Sequence, residues 1–206
     1  MRSKEQIAGF VLAGGASSRM GADKALLEIG GVPLLVRAAK LAQKAAGNAT
    51  IVGGAETYRD IGLVAVADDW PGAGPLGGIA TALGASKASW NLIIACDLPY
   101  LTEAWLNYVI ARAFSSEADA VMAMNTRGAE PLCAMYHKRC EPAIREELAR
   151  GTRKVTDGLR AVTVEMVRPN EWKAFDSEGL LFKNMNSPAD YEEARVRLTE
   201  REQPDA

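Results

Sequence analysis

The sequence predicts a single α/β domain built on a doubly wound, mostly parallel sheet. Three observations indicate this fold class: the chain has 206 residues, 48% of them are hydrophobic, and short apolar segments alternate with segments of helical periodicity. Strands that alternate with helices are joined by right-handed crossovers and therefore run mostly parallel. We expect one domain over residues 1–206, with a frayed polar tail at 200–206.

Seven apolar segments are the predicted strands. The first, Ile7–Ala13, is apolar throughout, as expected for a strand that is covered on both faces. The last alternates between apolar and polar residues, which is typical of a strand with one wet face. The segments after the first are Ala49–Val52, Leu63–Ala67, Trp90–Ala95, Ala118–Met124, Leu132–Tyr136 and Ala161–Val167.

Five segments are predicted helices. Pro33 begins the first of them, in which leucine and alanine recur at helical spacing, and Gly47 ends it. Thr102 is the predicted N-cap of the third. The segments are Pro33–Ala46, Gly77–Ala85, Leu101–Phe114, Glu141–Arg150 and Pro188–Thr199. Doubly wound sheets bind ligands beyond the carboxyl ends of their strands, so the functional residues are expected there.

Charge and composition disfavour several classes of protein. The chain has 24 Lys and Arg against 26 Asp and Glu, so no basic field favours nucleic acid. No apolar segment approaches the roughly 18 residues of a membrane span. The apolar Ile7–Ala13 segment is at the lower length limit of a secretion signal and is interrupted by Gly14-Gly15. Three cysteines do not indicate a disulfide framework, so we expect a cytoplasmic protein.

A glycine-rich turn follows the first predicted strand. Gly14 and Gly15 allow backbone N–H groups to turn toward an anion, and Arg19 and Lys24 add positive charge. This composition is typical of a triphosphate-binding loop, although neither Gly-x-Gly-x-x-Gly nor a P-loop lysine is present. The alternative is a strand-to-helix turn with incidental surface charges.

Carboxylates follow two further predicted strands. Asp68 and Asp69 precede a glycine-rich segment and could bind a base, a ribose hydroxyl or a metal-bound water, or could be solvated turn residues. Asp97 ends the Trp90–Ala95 segment, and Pro99 fixes the turn behind it. Mg²⁺ in nucleotide enzymes needs only one or two carboxylates, because phosphates and waters complete its shell. Asp97 is therefore a candidate magnesium ligand, with a turn or N-cap residue as the alternative.

Other polar groups support less specific hypotheses. Cys133, His137 and Cys140 provide three soft ligands where structural zinc needs four, so we do not expect a zinc site. A basic group around Gly151 could bind a second anionic substrate or could be a solvated helix face. It consists of Arg145, Arg150, Arg153, Lys154 and Arg160. Asn186 or Ser187 could cap the last helix.

Several motifs together resemble those of the MobA-like nucleotidyltransferases. The first is Leu12-Ala-Gly-Gly-x₃-Arg-Met-Gly-x-Asp-Lys24, which such enzymes share widely. The later ones are similar to the branch that acts on the molybdenum cofactor, with Ser187 where threonine is usual. They are Asp68-x-x-Pro-Gly-x-Gly-Pro-Leu-x-Gly-Ile79, Cys96-Asp-x-Pro99, Glu130-Pro-Leu and Asn184-x-Asn-Ser-Pro188. The resemblance implies a Rossmann-like nucleotidyltransferase fold.

The resemblance also implies a reaction, namely Mg²⁺-dependent transfer of GMP from GTP to molybdenum-molybdopterin with release of pyrophosphate. It assigns Arg19, Lys24 and Asp97 to catalysis and Asp97 to the metal. It assigns GTP binding to Leu12, Ala13, Gly14, Gly15, Lys24, Asp68 and Asp97. It further implies molybdenum-insertion or molybdoenzyme maturation proteins as candidate partners, whereas charge and the lengths of the apolar segments disfavour nucleic acid and membrane.

Two alternatives remain open at the level of sequence. The first is a related transferase that acts with CTP on the same pterin or activates a sugar or isoprenoid phosphate, because base specificity can depend on few contacts. The second is a non-catalytic nucleotide-binding adaptor, which the presence of both Lys24 and Asp97 disfavours.

Overall fold

The computed structural model describes residues 7–13, 23–58 and 61–202, in which strands and helices alternate. The strands are β1 (Ile7–Leu12), β2 (Glu28–Ile29), β3 (Val32–Pro33), β4 (Thr50–Val52), β5 (Ala65–Val66), β6 (Trp90–Ala95), β7 (Ala120–Asn125), β8 (Gly128–His137) and β9 (Val164–Val167). The helices are α1 (Leu34–Ala46), α2 (Gly74–Ala85), α3 (Glu103–Ser115), α4 (Glu141–Ala149), α5 (Val155–Gly158), α6 (Pro169–Trp172) and α7 (Pro188–Glu202).

Seven of the described strands form one mixed sheet in the order β5-β4-β1-β6-β8-β7-β9. The four strands from β5 to β6 are mutually parallel, and β9 is parallel to β7. β8 runs antiparallel to both of its neighbours. The predicted fold class, a doubly wound and mostly parallel sheet, is confirmed, with β8 as the one reversed strand among the seven described in this sheet.

The central strands are buried on both faces, which explains why their sequences are apolar throughout. In β1, Val11 packs into the core on the side of α1 and α3, whereas Phe10 packs into the core on the side of α2 and α4. Both side chains are at most 3% exposed. The two faces of one strand thus contribute to two separate apolar cores, as a doubly wound sheet requires.

A third, smaller core joins the hairpin of β2 and β3 to helix α7. It contains Ile29, Leu34, Tyr100, Met185, Ala194 and Leu198. Burial of these side chains holds the chain before α7 against the carboxyl ends of the parallel strands. The hairpin was not predicted, because its strands have only two residues each.

The predicted elements are found, with some different bounds. β6 has the predicted limits, and Thr102 is the N-cap of α3, where its side-chain oxygen accepts a hydrogen bond from the N–H of Trp105. α2 begins at Gly74, three residues before the prediction, and β5 is shorter than predicted. α7 continues to Glu202, three residues past its predicted end at Thr199, and residues 203–206 of the predicted tail lie outside the described part. None of the described helices is long and apolar enough to cross a membrane.

Candidate active site

The carboxyl ends of β5, β4, β1 and β6 form one edge of the sheet, and most of the predicted site residues that the structure describes lie there. Asp68 follows β5, Leu12 ends β1 with Ala13 directly after it, and Asp97 follows β6. Neighbouring strands are about 4.8 Å apart, so the chains at Asp68 and Asp97 are separated by about 14 Å. The predicted residues Gly14, Gly15 and Arg19 lie outside the described part of the chain.

The ends of β1 and β4 are in close contact. The Ala13 N–H donates to the Val52 carbonyl at 3.0 Å, and the next residue, Gly53, has φ +89°. A Cβ at Gly53 would lie 2.5 Å from the Ala13 carbonyl oxygen. Glycine is therefore required here both by backbone conformation and by space, and it fixes the course of the chain at Ala13.

We expect Gly53→Ala to lower the free energy of unfolding by more than the positive φ alone accounts for. A positive φ costs a residue with a side chain about 1–2 kcal/mol, and the contact with the Ala13 carbonyl adds to that cost. Gly62→Ala is the matched control, because Gly62 has φ +73° with open space around its Cβ position. Urea unfolding of both variants measures the difference, and equal losses of stability would contradict the contact at Ala13.

Leu12 joins the site to helix α2. Its carbonyl accepts a hydrogen bond from the Cys96 N–H at 3.3 Å, which holds the ends of β1 and β6 together. Its side chain packs against the backbone of α2, where a Cβ at Gly78 would lie 3.3 Å from the leucine methyl carbons. Leu12 thus forms an apolar wall between the two strand ends and the first turns of α2.

Asp97 carries a buried carboxylate oxygen that accepts no hydrogen bond from any described residue. Its Oδ1 is the orphaned atom, while its backbone carbonyl accepts from the Met185 N–H at 3.0 Å. Burial raises the pKa of this carboxyl group, and the positive charge of Lys24 lowers it in part. A buried oxygen without a donor is a costly feature, and it is consistent with a site that binds a cation.

Lys24 and Asp97 both contact Met185, and the charge of Lys24 acts on the Asp97 carboxyl group. It begins a 3₁₀ helix whose N-cap is Asp23, and its Nζ donates to the Met185 carbonyl at 2.7 Å and to Asn186 Oδ1 at 3.2 Å. The segment before α7 thus contacts both predicted catalytic residues that the structure describes. The two hydrogen bonds of Lys24 join residues that are separated by 161 and 162 positions in the sequence.

The segment before α7 combines a cap with a contact to the site. Ser187 accepts a hydrogen bond from the Asp190 N–H, and Asp190 Oδ2 accepts from the N–H groups of Asn186 and Ser187. The predicted capping role is therefore found for Ser187. The contact of the Asn186 side chain with Lys24 was missed; the repeated asparagines of the Asn184-x-Asn186 motif were the available signal.

Tyr58 is a second residue that the sequence reasoning missed. Its hydroxyl donates to Asp23 Oδ2 at 2.7 Å, one residue before Lys24. Burial, together with this carboxylate, raises the pKa of Tyr58 well above its ordinary value. The tyrosine therefore stays neutral and donates to Asp23, which fixes the chain that leads to Lys24.

Asp68 is held at the entrance to α2. Its Oδ1 accepts hydrogen bonds from the Trp70 N–H at 2.9 Å and from the Thr81 hydroxyl at 3.0 Å. The side chain of Asp69 is more exposed and lies 3.7 Å from Arg145. The Asp68 carboxylate is therefore held in place at the carboxyl edge of the sheet, and its Oδ2 takes part in neither of these hydrogen bonds.

The remaining polar groups divide into paired and unpaired ones. Cys133 accepts a hydrogen bond from the Trp105 indole, Cys140 donates one to the Asp119 carbonyl, and no group of three metal-binding side chains occurs among the described residues.

Within the basic group near Gly151, three arginines pair with acids, as expected for a solvated helix face. Arg153 and Lys154, before α5, have no acidic partner in the described ranges.

Comparison with known proteins assigns the family. A family model described as the MobA-like NTP transferase domain matches residues 9–165. The chain belongs to this family. It is 35% identical over 192 residues to a probable molybdenum cofactor guanylyltransferase of Pelotomaculum thermopropionicum, covering 93% of each chain. It is 37% identical over 186 residues to a protein of the same description from Trichormus variabilis, covering 88% of this chain and 86% of the relative.

A solved structure shares the fold of this chain. Molybdopterin-guanine dinucleotide biosynthesis protein A from Archaeoglobus fulgidus superposes with a TM-score of 0.80 at 22% identity. The match covers 93% of this chain and 98% of that chain. The fold predicted from the family resemblance is therefore confirmed, and the resemblance itself is confirmed by the family model.

Proposed function

We propose that this protein transfers GMP from GTP to the phosphate of molybdenum-molybdopterin, the activity of a molybdenum cofactor guanylyltransferase. The observation that carries the proposal is the orphaned Asp97 carboxylate oxygen at the carboxyl edge of the sheet, with the Lys24 charge near enough to lower the pKa of that carboxyl group in part. The descriptions of the full-length relatives support the identity of the two substrates. Pyrophosphate is the second product.

The nucleotide is proposed to lie over the ends of β5, β4 and β1. Asp68 binds the nucleoside, because its carboxylate is fixed by the Trp70 N–H and the Thr81 hydroxyl. Leu12 and Ala13 line the path to the phosphates, and Gly14 and Gly15 contribute N–H donors by the sequence argument. The distance of about 14 Å between the chains at Asp68 and Asp97 is on the scale of an extended nucleotide.

Asp97 is proposed to hold Mg²⁺, and its surroundings fit this role. One buried oxygen lacks a donor, and a single carboxylate is sufficient where phosphates and waters complete the shell. Bound magnesium supplies positive charge at the phosphoryl group under attack. Lys24 holds its ammonium group beside this position, and Arg19 adds charge by the sequence argument, so that the growing charge of pyrophosphate is compensated.

No covalent protein nucleophile is needed in this reaction. The attacking group is a phosphate oxygen of the acceptor, and the group that leaves is pyrophosphate, so both are already anionic. The chain's own residues therefore bind and orient the two substrates and compensate charge. Arg153 and Lys154 are the members of the basic group best suited to the acceptor's phosphate, since the other three are paired with acids.

The decisive experiment supplies the protein with each of four nucleoside triphosphates, Mg²⁺ and molybdenum-molybdopterin. We expect the guanine dinucleotide product, detected by mass spectrometry, only with GTP. A cytosine dinucleotide product would reassign the base, and pyrophosphate release only with a sugar or isoprenoid phosphate would reassign the acceptor. Molybdenum-insertion or molybdoenzyme maturation proteins remain proposed partners, to be tested by copurification with the product-loaded enzyme.

A further inference from the structure

The Glu130-Pro131-Leu132 motif lies at the start of β8, on the side of Asp97 away from β1. In the β6–β8 pairing, Ile94 is level with Cys133. Asp97 lies three residues after Ile94, and Glu130 lies three residues before Cys133. Because β6 and β8 run in opposite directions, both residues lie beyond the same end of the pairing. The pairing therefore brings Glu130 to the same edge of the sheet as Asp97, one strand further along.

The start of β8 departs from regular pairing. Between Met122 and Met124, β7 advances two residues, while its partner β8 passes from Ala134 to Ala129. The segment from 130 to 133 thus forms a bulge. Bulges next to active sites re-aim side chains, and this one places a partly buried carboxylate at the ligand edge.

The Glu130 side chain is held on one side only. Its Oε1 accepts a hydrogen bond from Asn125 Nδ2, and Asn125 Oδ1 in turn accepts from the Arg127 N–H at 2.7 Å. The Arg127 guanidinium donates to the Phe182 carbonyl at 2.8 Å, in the segment that leads to Asn184. No described residue donates to Glu130 Oε2.

The position of this carboxylate separates it from the proposed nucleotide site. β8 is four strands from β5, about 19 Å, whereas the nucleotide is proposed to end at Asp97 on β6. Because Glu130 bonds Asn125 at the end of β7, its carboxylate lies between one and two strand spacings beyond β6, about 5–10 Å. This distance is comparable to the length of a fused ring system. A pterin whose phosphate arm reaches Asp97 would therefore place its ring near Glu130.

We infer that Glu130 determines acceptor specificity by accepting hydrogen bonds from the 2-amino-4-oxopyrimidine edge of the pterin, an inference that rests on the proposed function. That edge presents two adjacent N–H donors, and a carboxylate pairs with such donors as it pairs with a guanidinium group. Guanine has the same edge. The placement of Glu130 beyond Asp97 assigns it to the pterin and not to the base of GTP.

Glu130→Gln is the informative variant. The glutamine carbonyl can still accept a hydrogen bond from Asn125, so the link between Glu130 and the end of β7 is kept. An N–H donor replaces the other carboxylate oxygen, Oε2. We expect the KM for the pterin acceptor to rise about 10- to 100-fold, the usual effect of losing one charge-assisted hydrogen bond. The KM for GTP is expected to stay within twofold. Glu141→Gln, at the first residue of α4 beyond the opposite end of β8 and also partly buried, is the control and should change neither constant.

Binding of simple pterins gives a readout that does not depend on turnover. Fluorescence titration compares 6-carboxypterin with 6-carboxylumazine, in which a carbonyl replaces the 2-amino group. We expect the wild-type protein to prefer the pterin and Glu130→Gln to lose this preference. A purely structural role of Glu130 would leave the preference unchanged, and that result would overturn the inference.

A second comparison distinguishes recognition of the pterin from recognition of guanine, which presents the same 2-amino-4-oxopyrimidine edge. ITP lacks the 2-amino group of GTP, so the ratio of kcat/KM for GTP and ITP measures recognition of guanine. If Glu130→Gln lowers this ratio and leaves the pterin preference intact, the residue recognises the nucleotide and the inference is wrong. Failure of the wild-type enzyme to make the guanine dinucleotide would refute the proposed function, whereas the pterin titration would still test Glu130.

Discussion

Replacing Asp97 with asparagine is expected to lower the rate of GMP transfer at least about 100-fold, a typical loss when a main charge-compensating group is removed. Asparagine keeps the shape of the side chain but lacks the charge that binds Mg²⁺. The Met185 N–H bonds the backbone carbonyl at position 97, so this contact survives the substitution. Single-turnover measurements at saturating GTP and increasing Mg²⁺ test the prediction, and near-normal rates would remove Asp97 from the mechanism.

The same substitution is expected to raise the stability of the metal-free protein. Burial raises the pKa of Asp97 in the folded state, so folding is less favourable when the group is ionised. The wild-type protein therefore loses stability as the pH rises through the folded-state pKa, whereas Asp97→Asn does not. Thermal unfolding in a chelating buffer should show a gain for the variant that increases as the pH rises from the ordinary aspartate pKa of 3.8 through the raised folded-state pKa.

This pairing of lower activity with higher stability distinguishes a functional carboxylate from a structural one. A structural aspartate would have its hydrogen bonds satisfied, and its replacement would cost stability. Asp97 instead keeps one buried oxygen without a donor. A loss of stability in Asp97→Asn at every pH would contradict the interpretation of the orphaned oxygen.

Local signals in the sequence predicted much of the fold. The apolar Trp90–Ala95 segment and the capping residue Thr102 act over a few positions, so one sequence is enough to locate them. The direction of β8 was not predicted, because the overall alternation of strands and helices favoured a mostly parallel sheet, although no helix was predicted between Ala118–Met124 and Leu132–Tyr136. β7 and β8 are instead joined by a short turn at 126–127, which forces them to run antiparallel.

The site was predictable by residue type but not by arrangement. A strand-end aspartate and a lysine after a glycine-rich turn indicate their chemistry wherever they occur. Which other segment contacts them depends on the third core, where Met185 is buried between the β2–β3 hairpin and α7. Such packing over about 160 residues leaves no periodic trace in the sequence. The contact of Lys24 with Met185 and Asn186 therefore required the structure.

Replacing Lys24 with glutamine is expected to lower kcat/KM for GTP by about 100-fold, because a fixed positive charge near the phosphates is lost. Its effect on stability should have the opposite sign to that of Asp97→Asn. The substitution removes the donor to the Met185 carbonyl and a positive charge that acts on the partly buried Asp97 carboxylate, at a cost of about 1–3 kcal/mol.

A double-mutant cycle tests whether the two residues act as one pair. If the cost of Lys24→Gln comes largely from leaving Asp97 uncompensated, the added substitution Asp97→Asn should restore part of the lost stability without restoring transfer. Lys40→Gln, at an exposed position on α1, is the control for the loss of a lysine and should leave both stability and kcat/KM unchanged. Additive effects of the two substitutions in urea unfolding would show that Lys24 and Asp97 are energetically independent, which would remove the electrostatic basis for a shared phosphate and metal site.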